Sequence, residues 1–336
     1  MKAFILAGGE GTRLRPLTYA TPKSLLPICN RPFLEHQLRL MRAHGIDEAL
    51  LLTGYLADAF APFVERMAGE GIRLEIVRET EPLGTAGAVR NVLDRMDGTT
   101  IVFNGDVLTD LDLGALIGTH QAARAVATLT LTPVDDASAY GLVPLDEGGR
   151  VMGFLEKPEP EIARKGGLIN AGTYVLEPSV FDGVPAGEMW SFERQVFPSL
   201  VERDEPVYGF PSDAYWLDIG TPERYLQAHW DVLAGRAKAA DPVGERRGEL
   251  LLADGASAAD GIAGPAVLGP GAVIEGRAVV ERVVLLEGAT VESGAVLRDA
   301  VVGPGGRASG THEGTGTTIL PGQEGSRLSN GGSERR

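Results

Sequence analysis

One cysteine, Cys29, stands among the 336 residues, so no intrachain disulfide can form and a reducing cytoplasm suits the chain. Nothing beside it has the form of a nucleophile motif, which leaves Cys29 as a packing residue. Long apolar runs are missing too. Residues 3–7 are apolar, but Gly8 and Gly9 end the run, too early for a signal-peptide core. No stretch approaches the roughly 20 residues that cross a bilayer, so a membrane partner is excluded. Positive charge is scarce: 31 Lys and Arg face 46 Asp and Glu, a net charge of −15. That balance excludes nucleic acid, whose binding runs on phosphate neutralisation. A small anion is still admissible, because Arg13, Arg15 and Lys23 gather near the N-terminus.

The length allows two domains with real cores. Over residues 1–235, short apolar and partly β-branched runs (3–7, 49–53, 74–77, 100–103) alternate with helically spaced sets such as Leu34, Leu38 and Met41, or Val89, Leu93 and Met96. Further strands are expected at 127–131, 142–145, 151–154 and 173–176, with a turn at 147–149 joining the middle two. Such alternation predicts an α/β domain with a largely parallel sheet covered on both faces. In such sheets ligands bind beyond the carboxyl ends of strands, where Gly8 and Asp106 fall.

Composition shifts near residues 234–242, and residues 236–260 read as a linker. A six-residue period follows at 261–305: Leu268, Ile274, Val280 and Leu286 lead, with Ala272, Ala278, Val284 and Thr290 four places after each. Val296 and Val302 extend the pattern without the leading aliphatic. One inward residue per layer fits the flat side of a parallel β-helix. The pattern resembles the hexapeptide repeats of left-handed β-helices, here about two coils. So short a stack needs the first domain or another subunit beside it, which points to a homo-oligomer formed through this region. Residues 306–336, rich in Gly, Ser and Thr, are expected to be disordered.

The stretch Leu6-Ala7-Gly8-Gly9-Glu10-Gly11-Thr12-Arg13-Leu14 follows the first strand directly. Its glycines permit close backbone approach to a polyphosphate, although a plain tight turn would look the same. No Gly-Lys-Ser/Thr ends it, so it is not a P-loop, and Leu14 spoils a dinucleotide fingerprint. The continuation is more specific: Arg15-Pro16-Leu17-Thr18, then Thr21-Pro22-Lys23-Ser24-Leu25-Leu26-Pro27. With these residues the chain resembles the nucleotidyltransferase family that activates sugar 1-phosphates, whose signature is GGxGTRLxPLT followed by PKxLLP. Later landmarks follow in order: Pro82-Leu83-Gly84-Thr85-Ala86-Gly87, Asn104-Gly105-Asp106, Tyr140-Gly141, Phe154-Leu155-Glu156-Lys157-Pro158, Asn170-Ala171-Gly172 and Trp216-Leu217-Asp218-Ile219-Gly220-Thr221-Pro222. The resemblance implies a Rossmann-like mixed-sheet domain with a C-terminal β-helix, and transfer of a nucleotidyl group from a nucleoside triphosphate to a sugar 1-phosphate.

The roles the resemblance implies match what two anionic reactants need, namely charge neutralisation and in-line alignment. Asp106 and Asp218 are the implied ligands of Mg2+, an ion that takes one or two carboxylates and several phosphate oxygens. Asp106 alone could be a turn residue; Asp218 between Leu217 and Ile219 is costlier to explain so. Arg13 is implied to steady the departing pyrophosphate with its planar fork. Lys23 and Lys157 match lysines that hold phosphates, Lys157 also reading as a solvated hairpin residue. Glu156 and Asn170 look like the sugar-hydroxyl pair, with Gly141 offering backbone contact. None of the five histidines falls in a family motif. The nucleotide-binding set is therefore Leu6, Ala7, Gly8, Gly9, Gly11, Thr12, Arg13, Lys23, Glu79, Gly84, Thr85 and Asp106, and the sugar-phosphate set Gly141, Glu156, Lys157, Asn170 and Asp218.

Base choice turns on Glu79, five positions before Gly84. A carboxylate only accepts hydrogen bonds, which suits the two neighbouring donors of guanine better than uracil or thymine. Glu81 is the alternative contact, and an exposed strand-end glutamate the plain one. GTP and mannose 1-phosphate are the expected substrates, with another hexose 1-phosphate (taken with UTP or dTTP) or a cyclitol phosphate as alternatives. A non-catalytic regulatory subunit of the same fold would tend to lose Arg13, Lys23, Asp106 or Asp218. An acyltransferase would need a histidine within the repeats, and His312 lies beyond them.

Overall fold

The computed structural model describes residues 1–138, 140–155 and 158–321. Two compact units emerge, one of Met1–Glu10 with Gln37–Trp216 and one of Gly11–His36 with Leu217–Arg336.

The first unit is built on a seven-stranded sheet. Its order is Val207–Pro211, Ala127–Val134, Gly167–Leu176, Thr100–Asn104, Ala3–Leu6, Glu48–Thr53, Arg73–Arg78. Only Gly167–Leu176 runs antiparallel to its neighbours, so the sheet is mixed. Ala3, Phe4 and Ile5 are all buried, as befits a central strand covered on both faces. Ala3–Leu6 pairs in parallel with Glu48–Thr53 on one side and Thr100–Asn104 on the other. The strand order reverses there, and Leu6 stands opposite Asn104. The chain therefore leaves two adjacent strands at Ala7-Gly8 and Gly105-Asp106, where an open sheet opens a crevice. One face packs on a core that includes Tyr174, Phe192 and Phe197, whose rings lie 5.0–5.5 Å apart.

Two expected strands are absent as ladders. Residues 142–145 and 151–154 form only isolated bridges, Leu142 with Leu155 and Leu145 with Val151. These pairings differ in register by one residue, and Pro144 has no N–H to offer. Asp146 makes the expected turn, its Oδ1 accepting from the N–H groups of Gly148 and Arg150 at 2.8 Å.

In the second unit Pro27–Ile28 and Arg31–Pro32 form a small hairpin turned by Cys29 and Asn30, both at positive φ. Helix Pro222–Leu233 begins at Thr221, whose side chain accepts from the N–H of Arg224. Tyr225 ties this helix to the hairpin, donating to the carbonyl of Pro27 at 2.6 Å. The C-terminal strands stack in parallel on three sides. One runs through Leu250–Leu252, Ala266–Leu268, Val283–Leu285 and residues 300–302, a second through Ser257–Ala258, Val273–Ile274, Thr290–Val291 and Arg307–Ala308, and a third through Val279–Glu281, residues 296–298 and 311–313. Three-sided parallel stacking fits a β-helix.

Its limits and register differ from the sequence expectation. The residues expected as a linker already supply Leu250–Leu252 and Ser257–Ala258. Stepping back by six from Leu268 reaches Ile262, Ala256 and Leu250, all packed on the interior, so the period begins earlier than its strongest copies. After Val280 the side closes one residue early, at Arg282 with φ 56°. Val283 and Leu285 therefore join the interior instead of Val284 and Leu286, and Ala266 is repeated by Val283, 17 positions on. Nor does the segment expected to be disordered begin at Gly306, because Arg307–Ala308 and Thr311–Ile319 are strands. Backbone pairing to preceding layers stabilises them despite a polar composition. Residues 322–336 lie outside the described residues.

Candidate active site

The glycine-rich turn is shared between the units, residues 6–10 in the first and Gly11, Thr12 and Arg13 in the second. In the first unit Ala7 extends strand pairing, its N–H donating to Leu52 at 2.8 Å, and Leu6 is half-buried. Gly8 then runs against the neighbouring turn: a Cβ on it would meet Gly54 N at 3.3 Å and Glu79 Oε1 at 3.4 Å. Gly9 faces open space. Glu79 follows strand Arg73–Arg78 and is anchored through Oε2, which accepts from the N–H of Leu83 at 3.4 Å. Burial raises its pKa above the ordinary glutamate range, with the Leu83 N–H partly opposing. Asp106, half-buried, follows strand Thr100–Asn104 in the same unit.

The second unit gathers the basic residues around Asp218. Gly11 adopts φ 62°, and the following turn, Thr12–Leu14, closes with Leu14 N–H donating to Gly11 O at 2.9 Å. Thr18 Oγ1 donates to the same carbonyl at 2.9 Å, fixing the loop from behind. Lys23 Nζ stands 3.5 Å from Asp218 Oδ1, and Arg224 stands 3.5 Å from Oδ2. A Cβ on Gly220 would meet Arg13 Nη2 at 2.7 Å and both Asp218 oxygens at 3.0 Å. Arg13, Lys23 and Asp218, 205 residues apart at the extremes of number, are thus brought together. Asp218 Oδ1 is buried and accepts no hydrogen bond. Arg224 and Gly220 were missed in the sequence as site residues. Their signal was the Gly-Thr-Pro start of the helix, which places position 224 one turn in.

Other expected contacts have internal partners. A Cβ on Gly84, at φ 69°, would lie 2.6 Å from the carbonyl of Trp190, so this glycine is required by packing. Thr85 Oγ1 donates to Glu193 Oε2 at 3.1 Å and accepts from Phe192 N–H at 2.9 Å. Asn170 accepts from Gly172 N–H at 3.0 Å and donates to the Tyr174 hydroxyl at 2.9 Å. That hydroxyl donates onward to Glu193 at 3.1 Å, and burial pushes its pKa well up. Asn170 is therefore held in one orientation with donor and acceptor capacity to spare. Gly141 is half-buried beside Tyr140, whose ring meets Trp216 edge-on at 5.9 Å. Glu156 and Lys157 lie outside the described residues.

Cys29 is a packing residue of the second unit. It is fully buried, its N–H donates to His229 Nδ1 at 3.1 Å, and burial pushes the thiol up to about 12. The same environment lowers His229 to about 3, so the imidazole stays neutral. No described helix is long and apolar enough to cross a membrane.

Comparison with known proteins identifies the family. A family model described as nucleotidyl transferase matches residues 2–235. Mannose-1-phosphate guanylyltransferase of Mycobacterium tuberculosis is 41% identical over 299 residues, covering 88% of this chain and 82% of the relative. UTP–glucose-1-phosphate uridylyltransferase of Synechocystis is 32% identical, covering 90% and 87%. Among solved structures, HddC from Yersinia pseudotuberculosis, complexed with GMP-PN, superposes with a TM-score of 0.60 at 30% identity, over 69% of this chain and 99% of that one. With its glycine-rich turn, its basic cluster and its relatives in agreement, the chain belongs to the nucleotidyltransferase family.

Proposed function

We propose that the protein transfers a guanylyl group from GTP to mannose 1-phosphate, releasing pyrophosphate. The observation that carries this is the cluster at Asp218, where Lys23, Arg224 and Arg13 stand around one carboxylate in a space that Gly220 keeps open. The sugar phosphate oxygen attacks the α-phosphorus while pyrophosphate leaves, and both reactants are anions. Arg13 offers its planar fork to the departing phosphates, and Lys23 supplies a point charge to the triphosphate. Lys23 is held by its ion pair with Asp218 before substrate arrives, so little reorganisation of that charge opposes the reaction. Asn170, fixed by Gly172 and Tyr174, presents its amide to sugar hydroxyls, together with Glu156, Lys157 and the backbone of Gly141.

Asp106 and Asp218 are our proposed ligands for a divalent cation, Mg2+. The chemistry of Asp218 fits: Oδ1 is a buried carboxylate oxygen without a hydrogen bond, the type of donor a hard cation takes. The ion, when bound, neutralises phosphate charge. Glu79 is our base-reading residue. Its position beside Gly8 and its hold by Leu83 support this, as do the relative named a guanylyltransferase and the neighbour solved with GMP-PN.

The test is pyrophosphate release by purified protein with Mg2+, each of GTP, UTP and dTTP, and a panel of hexose and cyclitol phosphates. Turnover is expected with GTP and mannose 1-phosphate above the rest, and Asp218→Ala should abolish it while the protein remains folded. Preference for UTP with glucose 1-phosphate would reassign the substrates. Silence across the panel would favour a regulatory subunit instead.

A further inference from the structure

A cavity of about 370 Å3 lies in the second unit, where the end of helix Pro222–Leu233 meets the first strands of the stack. Trp230, Leu233, Arg246, Glu249, Pro265 and Arg282 are among the residues lining it. None of these has a part in the transfer reaction proposed above. Its size is that of a small-molecule pocket.

One lining donor is stranded. Trp230 is 8% exposed, and its indole N–H is buried with no acceptor. Arg282 is paired through Nε with Asp299 Oδ1 at 2.8 Å. An unmet buried donor costs about 1–3 kcal/mol, so the Trp230 indole calls for an explanation. The Arg282 guanidinium also stands 6.0 Å from the centroid of the Trp230 ring, which leaves a cationic edge beside an aromatic one. Arg246 adds a second guanidinium, steadied by donating to the Leu233 carbonyl at 2.7 Å. Against these two cations stand two carboxylates, Glu249 in the lining and Asp299 paired with Arg282.

From these donors we infer a second ligand site that takes a small phosphorylated metabolite. Its phosphate oxygens accept from Arg246 and Arg282, whose forks match the geometry of an oxyanion. An oxygen of the same molecule accepts the Trp230 indole N–H, the one donor that a bare solvated surface would not need to hide. Phosphate is favoured over a purely apolar occupant because the stranded group is a donor and two guanidiniums line the same cavity.

Trp230 is one of three tryptophans, with Trp190 and Trp216, so the site carries its own reporter. The full chain with Trp190→Phe and Trp216→Phe is titrated with glucose 6-phosphate, with inorganic phosphate and with potassium chloride at matched ionic strength, following Trp230 emission. A saturable change with glucose 6-phosphate or with inorganic phosphate, absent with chloride, is expected, and Arg246→Ala should weaken it at least tenfold. Stronger binding of glucose 6-phosphate identifies an organic phosphate as the ligand; equal binding identifies the phosphate group alone. Calorimetry on the wild-type chain and Arg246→Ala makes the same comparison without the tryptophan substitutions. Basal turnover of Arg246→Ala should equal wild type, which separates this site from the catalytic one. No saturable response to either phosphate, or one undiminished by Arg246→Ala in both formats, overturns the inference.

Discussion

Gly220→Ala offers the sharpest separation of activity from stability. A Cβ at this position would lie 2.7 Å from Arg13 Nη2, where ordinary contact begins at 3.4 Å, so the guanidinium must retreat by about 0.7 Å. The obstructing atoms are the ends of flexible side chains, Arg13 Nη2 and the two Asp218 oxygens at 3.0 Å, and no backbone atom is among the nearest. The fold can therefore absorb the methyl group, while the reduced freedom of the unfolded chain adds about 0.4–1 kcal/mol of stability. The reactive geometry has no such tolerance. Misplacing a positioning group by about 1 Å can cost on the order of 100-fold in rate. We expect kcat/KM for pyrophosphate release to fall roughly 10- to 100-fold, with the midpoint of thermal unfolding unchanged or slightly raised. Wild-type turnover from this variant would refute the claim that Arg13 and Asp218 must share the space above Gly220.

Further expectations follow from other sites. Gly84→Ala would press a methyl group against the Trp190 carbonyl at 2.6 Å and strain φ 69°, so we expect a loss of about 2–3 kcal/mol in urea unfolding; a loss under about 0.5 kcal/mol would show that the segment at Trp190 yields. His229 has its pKa lowered from 6.5 to about 3, so the stability of keeping it neutral is present above about pH 6.5 and is lost as pH falls toward 3. At pH 5 the deficit is about 2 kcal/mol, measurable as a lower urea midpoint than at pH 7.5, and equal midpoints would refute it. Glu79→Gln should shift preference from GTP toward UTP or dTTP by roughly 10-fold, read as a ratio of kcat/KM values; an unchanged ratio would move base reading to another residue, Glu81 first.

Local signals in the sequence carried a long way. Residues 3–7, 49–53 and 100–103 were legible as strands because buried parallel strands are continuously apolar, and the turn that follows the first of them was legible from its glycines. The middle hairpin was not, because nothing in the alternation of residues 142–154 reports a one-residue slip in pairing. The repeat showed its period but not its ends. Inward positions at Leu250 and Ala308 depend on layers above and below, and the step lost at Arg282 depends on a corner conformation.

At the site the division is similar. Chemistry-bearing residue types and the order of their motifs were fixed by the chain itself, since Arg13, Lys23 and Asp218 each sit in a recognisable local string. Their meeting was decided by tertiary structure, through the turn at Gly11, the helix start at Thr221 and the missing side chain of Gly220. Tertiary structure also revealed that Gly84 and Thr85 serve packing and internal hydrogen bonding. A sequence records which groups a residue offers, whereas the atoms that meet those groups, 2 or 200 positions away, exist only once the chain has folded.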